Sequence, residues 1–229
     1  MSPRLILLAD DHPLFRAALR GAIVGHLPTG ATSEFVEADS VAALLDVVER
    51  NPQADLLLLD LDMPGAHGFG ALAHVRGVRP ELPVVVVSAS DDPRTVANAL
   101  AFGAQGFISK SSDARAIAAG VEAVLAGDVV TPPGFVPPNA AEPDARDLEA
   151  ASRIAELTPQ QFRVLGMLLS GLLNKQIAFE LDVSEATVKA HVTAILRKLG
   201  VTNRTQAVLL AGRLAVDRGA LRVPPDDAE

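Results

Sequence analysis

The chain has 229 residues, 49% of them hydrophobic and 21% charged, which excludes a disordered chain and leaves room for one large or two smaller globular domains. It has no cysteine, which excludes disulfide staples and thiolate metal sites. The net charge of −8 is unevenly spread: residues 1–151 carry 10 Lys+Arg against 20 Asp+Glu (net −10), residues 152–215 carry 8 against 4 (net +4) and residues 216–229 carry 2 against 4 (net −2), so an acidic front and a basic back predict two domains with different partners.

The first apolar run, Leu5–Ala9, is a short strand ending in Asp10-Asp11. It is too short for a secretory signal, and no apolar run nears the roughly 20 residues of a membrane helix. A cytoplasmic location with no membrane partner is the expectation. Pro13 suits a first helical turn, and Leu14, Phe15, Ala18, Leu19 and Ile23 repeat at helical spacing to about Leu27. Ser33–Ala38 is a weaker strand, and Ser40 caps a helix carrying Val41, Leu44, Leu45 and Val48. Four leucines, Leu56 to Leu59, form a strand buried on both faces, which stops at Asp60 and Asp62 before a Pro64-Gly65 turn. A helix over about Phe69–Val78, a Val84–Ser88 strand and a helix over about Pro93–Phe102 follow. A Gly106–Ser109 strand and a helix from Ser112-Asp113 to about Ala126 complete the series. Five strand–helix alternations predict an α/β doubly wound five-stranded parallel sheet.

Right-handed crossovers put every strand's C-terminal end on one edge, where such sheets bind ligands. That edge receives Asp10, Asp11, Asp60, Asp62, Ser88 and Lys110. Read alone, Asp60 and Ser88 are equally strand-end residues, Phe107 ordinary core and Lys110 a solvated charge. What singles them out is their arrival at one edge. Clustered carboxylates repel unless a cation shares the site, and a small all-oxygen set suits Mg²⁺. A hydroxyl and a lysine opposite would hold phosphate oxygens, so the chemistry is phosphoryl transfer onto an aspartate.

Residues 4–127, through Asp10-Asp11, Asp60-x-x-Met-Pro-Gly, Ser88-Ala89 and Gly103-Ala-x-Gly-Phe-x-x-Lys110, resemble a CheY-like (flavodoxin-like) receiver domain of a bacterial two-component response regulator. The resemblance implies that Asp60 accepts a phosphoryl group from a sensor histidine kinase. It implies Mg²⁺ (or Mn²⁺) held by Asp10, Asp11, Asp60 and the backbone carbonyl of Asp62. Ser88 and Lys110 then contact the phosphoryl oxygens, Phe107 is the aromatic switch, and Asp62 and Ser90 tune the approach of water. The Asp60-x-Asp62 pair also resembles the haloacid-dehalogenase phosphatases, which usually carry it on an N-terminal strand.

Prolines 132, 133, 137, 138 and 143 and the acidic residues among them predict an extended, solvated connector over 128–151, with a short helix beginning near Asp144. Thr158-Pro159-Gln160-Gln161 is a capped helix start with Phe162, Leu165, Leu168 and Leu169 at helical spacing. Asn174 opens a second helix, Ser184 caps a third that ends at Gly200, and Asn203 with Gln206 boxes a fourth. Four short helices, two joined by a tight turn, make a small all-α helix-turn-helix domain over 152–215, followed by an acidic tail, 216–229. In the third helix Val188, Val192, Ile195, Leu196 and Leu199 form the core stripe. Ala186, Ala190, Thr193 and Arg197 lie opposite, flanked by Lys189 and His191.

Residues 157–211 resemble the LuxR-type DNA-binding domain through Leu157-Thr158, Val164-Leu165, Gly171, Asn174-Lys175-x-Ile177-Ala178, Ser184-x-x-Thr187-Val188-Lys189-x-His191, Lys198-Leu199-Gly200 and Asn203-Arg204. The resemblance implies that Lys189, Ala190 and Thr193 read bases. Lys175, Thr187, His191 and Arg204 would contact the DNA backbone or support the turn. Val208, Leu209 and Ala211 on the fourth helix would form a dimer surface. Gln160-Gln161 departs from the family's Arg-Glu and removes an ion pair there. Together the resemblances imply a NarL/FixJ-type regulator: phosphorylation shifts the receiver and promotes a homodimer on double-stranded promoter DNA, with RNA polymerase as a further partner. The competing expectations are a Mg²⁺-dependent phosphatase and a regulator whose receiver is a phosphorylation-independent dimer scaffold.

Overall fold

The computed structural model describes residues 3–26, 32–65, 68–137 and 144–216. Residues 138–143 of the expected connector and 217–229 of the tail lie outside them. In chain order the front half is β1 (Arg4–Ala9), α1 (Pro13–His26), β2 (Ser33–Ala38), α2 (Val41–Arg50), β3 (Leu56–Leu59), α3 (Gly70–Val78), β4 (Val84–Ser88), α4 (Pro93–Ala101), β5 (Gly106–Ser109) and α5 (Ala114–Leu125). The back half is α6 (Ala145–Ala155), α7 (Pro159–Leu169), α8 (Asn174–Glu180), α9 (Glu185–Leu199) and α10 (Arg204–Gly212).

The five strands form one parallel sheet in the order β2-β1-β3-β4-β5. Strand residues alternate between faces, so Ile6, Leu8, Leu56 and Leu58 pack with Leu19 and Ile23 of α1 and Ile117 and Val121 of α5. Leu7, Leu57, Leu59, Val84 and Val86 pack on the other face with α2, α3 and α4. Because both faces are covered, β3 and β4 are unbroken apolar runs. The pairing continues past the strands: Asp60 N–H donates to the Ala9 carbonyl at 2.8 Å and Lys110 N–H to the Ser88 carbonyl at 2.8 Å. This register holds the polar residues in line at the sheet's C-terminal edge.

The connector meets the folded core at two points, the second being the helix expected near Asp144. Val130 lies before the first of its prolines and joins the sheet edge, accepting from Phe107 N–H at 2.8 Å and donating to the Gln105 carbonyl at 3.1 Å. Asp144 caps α6 by accepting from Arg146 N–H at 2.9 Å, and α6 runs across the expected 151/152 boundary with Ala150, Ala151 and Ile154 buried.

Capping sets the back half. Thr158 and Gln161 form the expected box at the start of α7, so Gln161 supplies with a neutral amide the N-cap bond that a glutamate would make. The α8–α9 turn passes through Asp182 at φ 51°, a left-handed position that aspartate tolerates better than most residues. The box expected from Asn203 and Gln206 is shifted: Asn203 caps Gln206 N–H, but the Gln206 amide reaches back to Thr202 N–H instead.

The halves dock through one continuous apolar core. Ala155 of α6 lies against Gly77 of α3, and the His74 ring of α3 stacks on Phe162 of α7 at 4.3 Å between centroids. Arg163 pairs with Asp46 of α2 at 2.6 Å. Phe69 N–H donates to the Leu214 carbonyl at 2.7 Å, where a Cβ on Gly68 would strike the backbone of Leu214 to Val216.

Candidate functional site

Asp10 follows β1, Asp60 follows β3, Ser88 ends β4 and Lys110 follows β5. All meet at one edge. Asp10 and Asp60 are each 2% exposed, and the Lys110 ammonium bridges them at 2.6 Å to Asp10 Oδ2 and 2.8 Å to Asp60 Oδ2. The same ammonium lies 4.8 Å over the Phe15 ring, an aromatic support that the periodicity of α1 gave no reason to separate from core. Asp60 Oδ1 accepts from Asp62 N–H at 3.2 Å, which turns the chain after β3 and leaves the Asp62 side chain exposed at the mouth.

Burial pushes the Asp60 carboxyl above its usual range, and the Lys110 hydrogen bond and charge oppose that rise. Burial alone would lower the Lys110 ammonium, but Asp10 and Asp60 outweigh it and hold it above the ordinary lysine value. The cavity in front, about 480 Å³, is lined by His12, Leu14, Phe15, Ala18, Asp60, Asp62, Ala89 and Lys110. Ser88 is buried beside it, its Oγ accepting from Ser90 N–H at 3.2 Å. Phe107 is fully buried in β5. The ligand atoms of Asp10, Asp11, His12 and Asp60 all lie within 4.8 Å of one another. Three carboxylates against one ammonium suit a hard divalent cation. His12 was not among the expected ligands, although it directly follows the acidic pair.

On the basic half, α9 presents Ala186, Lys189, Ala190, Thr193 and Arg197 to solvent and buries Val188, Ile195 and Leu199; Val192 and Leu196 are half-buried. Lys175 and Thr187 are exposed at the starts of α8 and α9, and His191 is partly exposed. Thr187 Oγ1 lies 2.9 Å from Ser184 Oγ within the α9 cap, and Thr193 Oγ1 donates to the Lys189 carbonyl at 2.9 Å. Arg204 donates to the Leu168 carbonyl at 3.0 Å, tying α10 to the end of α7. On α10, Leu209 is exposed, Val208 half-buried and Ala211 buried. Ala211 is therefore core and not part of an outer surface, because the inward face of α10 runs through Ala207 and Ala211.

A buried carboxylate–lysine cluster at the edge of a five-stranded parallel α/β sheet, joined to a helix-turn-helix with an open third helix, is the architecture of a response regulator. The response regulator receiver domain model matches residues 6–122, and the model of bacterial regulatory proteins of the luxR family matches residues 155–211. The chain belongs to the response regulators with a LuxR-type DNA-binding domain, and it is a transcriptional regulator. It is 44% identical over 211 residues to the glycerol metabolism activator of Pseudomonas putida, covering 90% of this chain and 94% of that one. It is 36% identical over 208 residues to the probable transcriptional regulatory protein NarL of Mycobacterium tuberculosis, covering 91% and 93%. RcsB of Salmonella enterica serovar Typhimurium, solved bound to a promoter with a phosphomimetic, shares the fold at TM-score 0.51 and 21% identity, covering 93% of this chain and all of that one. Among the described residues no helix is long and apolar enough to cross a membrane.

Proposed function

We propose that Asp60 accepts a phosphoryl group from a sensor histidine kinase, and that the modified receiver changes its hold on the DNA-binding half. The observation that carries this is Asp60 itself: buried, at the head of an open cavity, one oxygen held by Lys110 and the other by a backbone N–H. The division is a receiver over 1–127, a connector over 128–151 and a reader over 152–215, with 216–229 as an acidic tail.

In the transfer, a carboxylate oxygen of Asp60 bonds to phosphorus as the phosphorus–nitrogen bond of the donor imidazole breaks, and that nitrogen recovers a proton. Asp10, Asp11, Asp60 and the Asp62 carbonyl would hold Mg²⁺ or Mn²⁺. Such a cation supplies charge neutralisation to the phosphoryl oxygens. Ser88 and Lys110 take up the remaining oxygens, which draws Lys110 away from Asp10. Phe107, next along β5, follows toward the space left behind Ser88. Phe69, just before α3, donates its N–H to the Leu214 carbonyl just after α10, and that bond is where a displacement at the receiver would reach the DNA-binding half.

Lys189, Ala190, Thr193 and Arg197 would enter the major groove of double-stranded promoter DNA. Lys175, Thr187 and His191 flank them at the DNA backbone, and Arg204 acts from behind by fixing the helix pair. Exposed Leu209 gives α10 an apolar point for a homodimer. The promoter-bound RcsB structure and the regulator names of the relatives support this reading. The test is a beryllofluoride titration with Mg²⁺, following oligomeric state and binding to genomic fragments that the protein itself selects. Tighter binding with dimer formation, absent in Asp60→Ala, is the expected result. Equal binding by both proteins with and without beryllofluoride would make the receiver a scaffold. Steady turnover of a phosphate ester lost in Asp62→Asn would make the chain a phosphatase.

A further inference from the structure

His12 has no part in the transfer described above, yet its ring sits at the mouth of the same cavity, 66% exposed. Its backbone N–H donates to Asp10 Oδ1 at 2.8 Å, which anchors the residue to the acidic pair whatever its side chain does. Ring Nδ1 lies 2.6 Å from Asp11 Oδ1 and 3.3 Å from Asp10 Oδ1. Among the described residues, buried Asp11 Oδ1 makes no aligned hydrogen bond, despite that close approach. The nitrogen and the oxygen are therefore neighbours that do not point at each other. Two donors sharing one cation have this relation: at about 2.1 Å each and at right angles, they stand about 3 Å apart.

Resting on the cation-site reading above, we propose that His12 is a further donor to that site, an imidazole nitrogen that biases it toward divalent metals accepting nitrogen ligands. Mg²⁺ takes oxygen ligands and gives up its waters reluctantly, so it gains little from an imidazole. Later first-row dications gain much more, rising from Mn²⁺ to Ni²⁺. The exposed ring has freedom to close on a bound ion, and the anchored backbone keeps it within reach. The class of ligand is a hydrated first-row transition-metal dication.

The alternative is that His12 is only an ion-pair partner of Asp11. It would then compete with every cation alike, and its removal would tighten all of them together. Isothermal titration of the full chain with Mg²⁺, Mn²⁺ and Ni²⁺ alone separates the two, using wild type, His12→Ala and Asp11→Asn. The Asp11→Asn protein marks which heat belongs to this site, since other histidines also take Ni²⁺. The expected result is that His12→Ala weakens Asp11-dependent Ni²⁺ binding about tenfold or more, Mn²⁺ less and Mg²⁺ by less than about twofold. Uniform tightening, or Asp11-dependent binding indifferent to His12, overturns this inference and leaves the cation site standing. Absence of any Asp11-dependent binding overturns both.

Discussion

Lys110 holds two buried carboxylates in place, and it is the residue whose removal tests how strongly they repel each other. Its ammonium lies within 2.8 Å of both Asp10 and Asp60, and those two side chains are almost wholly buried. Lys110→Ala would leave them facing each other with no counter-charge between. Breaking a buried pair from one side costs on the order of 3 kcal/mol. In urea titrations with a chelator present, Lys110→Ala is expected to lose about that much stability. Saturating Mg²⁺ is expected to restore a substantial part of the loss, since a cation at Asp10, Asp11 and Asp60 supplies the missing charge. A variant as stable as wild type in chelator would show that the carboxylates are not held under mutual repulsion. Asp10, Asp60, Ser88 and Lys110 were legible as a group because a parallel sheet delivers every strand end to one edge. Phe15 and His12 were not. One looks like any apolar residue of an amphipathic helix, and the other follows a motif whose reading stopped at two aspartates.

Among the elements, α3 and α6 meet backbone to backbone, which only a side chain no larger than hydrogen permits. A Cβ on Gly77 would lie 2.7 Å from Ala155 Cα and Cβ and closer still to its carbonyl oxygen. Gly77 is inside α3, where alanine is favoured over glycine by about 1 kcal/mol. Gly77→Ala therefore separates two effects of opposite sign. The helix itself gains, while the docking of α3 on α6 is forced apart. The expected outcome is a receiver of unchanged or higher thermal stability in a molecule whose radius of gyration by small-angle scattering is larger than wild type. An unchanged radius would mean that the close approach is not what holds the halves together. This contact was out of reach of periodicity. The acidic, proline-rich composition of 128–151 predicts a solvated connector, and the apolar residues that bury Asp144-capped α6 are mostly alanines, Ala150 and Ala151 with Ile154. Small residues say little until the partner helix is known. The helix-turn-helix was more legible, since its caps at Thr158, Ser184 and Asn203 mark each helix start locally.

At the scale of the molecule, the docked arrangement depends on an imidazole remaining neutral. His74 is fully buried between the halves, stacked on Phe162 with an interplanar angle of 4°, and among the described residues neither ring nitrogen makes an aligned hydrogen bond. Burial lowers its pKa to about 4 from 6.5, with the backbone of Ile154 pulling weakly the other way. The charged groups facing this region are Glu49 of α2 and Arg79 beyond α3, which line the adjoining cavity of about 240 Å³ with His74 and Pro159. The Arg163–Asp46 pair joins α7 to α2 nearby. A depressed histidine pKa means that the undocked chain binds the proton more readily than the docked one. Docking is therefore fully favoured above about pH 6.5 and loses support as pH falls toward about 4, by up to roughly 3 kcal/mol for the whole shift. The chain has no cysteine, so one introduced on each half allows dyes to report their separation. Transfer efficiency is expected to fall between about pH 6.5 and 4 in wild type. In His74→Leu, which keeps an apolar contact for Phe162 and has nothing to protonate, efficiency is expected to hold until the receiver itself unfolds. Matching pH profiles for the two proteins would show that His74 is not the group that releases the halves. In the proposed mechanism a phosphoryl group at Asp60 and a proton at His74 act on the same interface, through the Phe69–Leu214 bond and the Phe162 stack. Either one lowers the cost of separating the halves, so acidification is expected to reduce the beryllofluoride needed for half-maximal opening in wild type and not in His74→Leu.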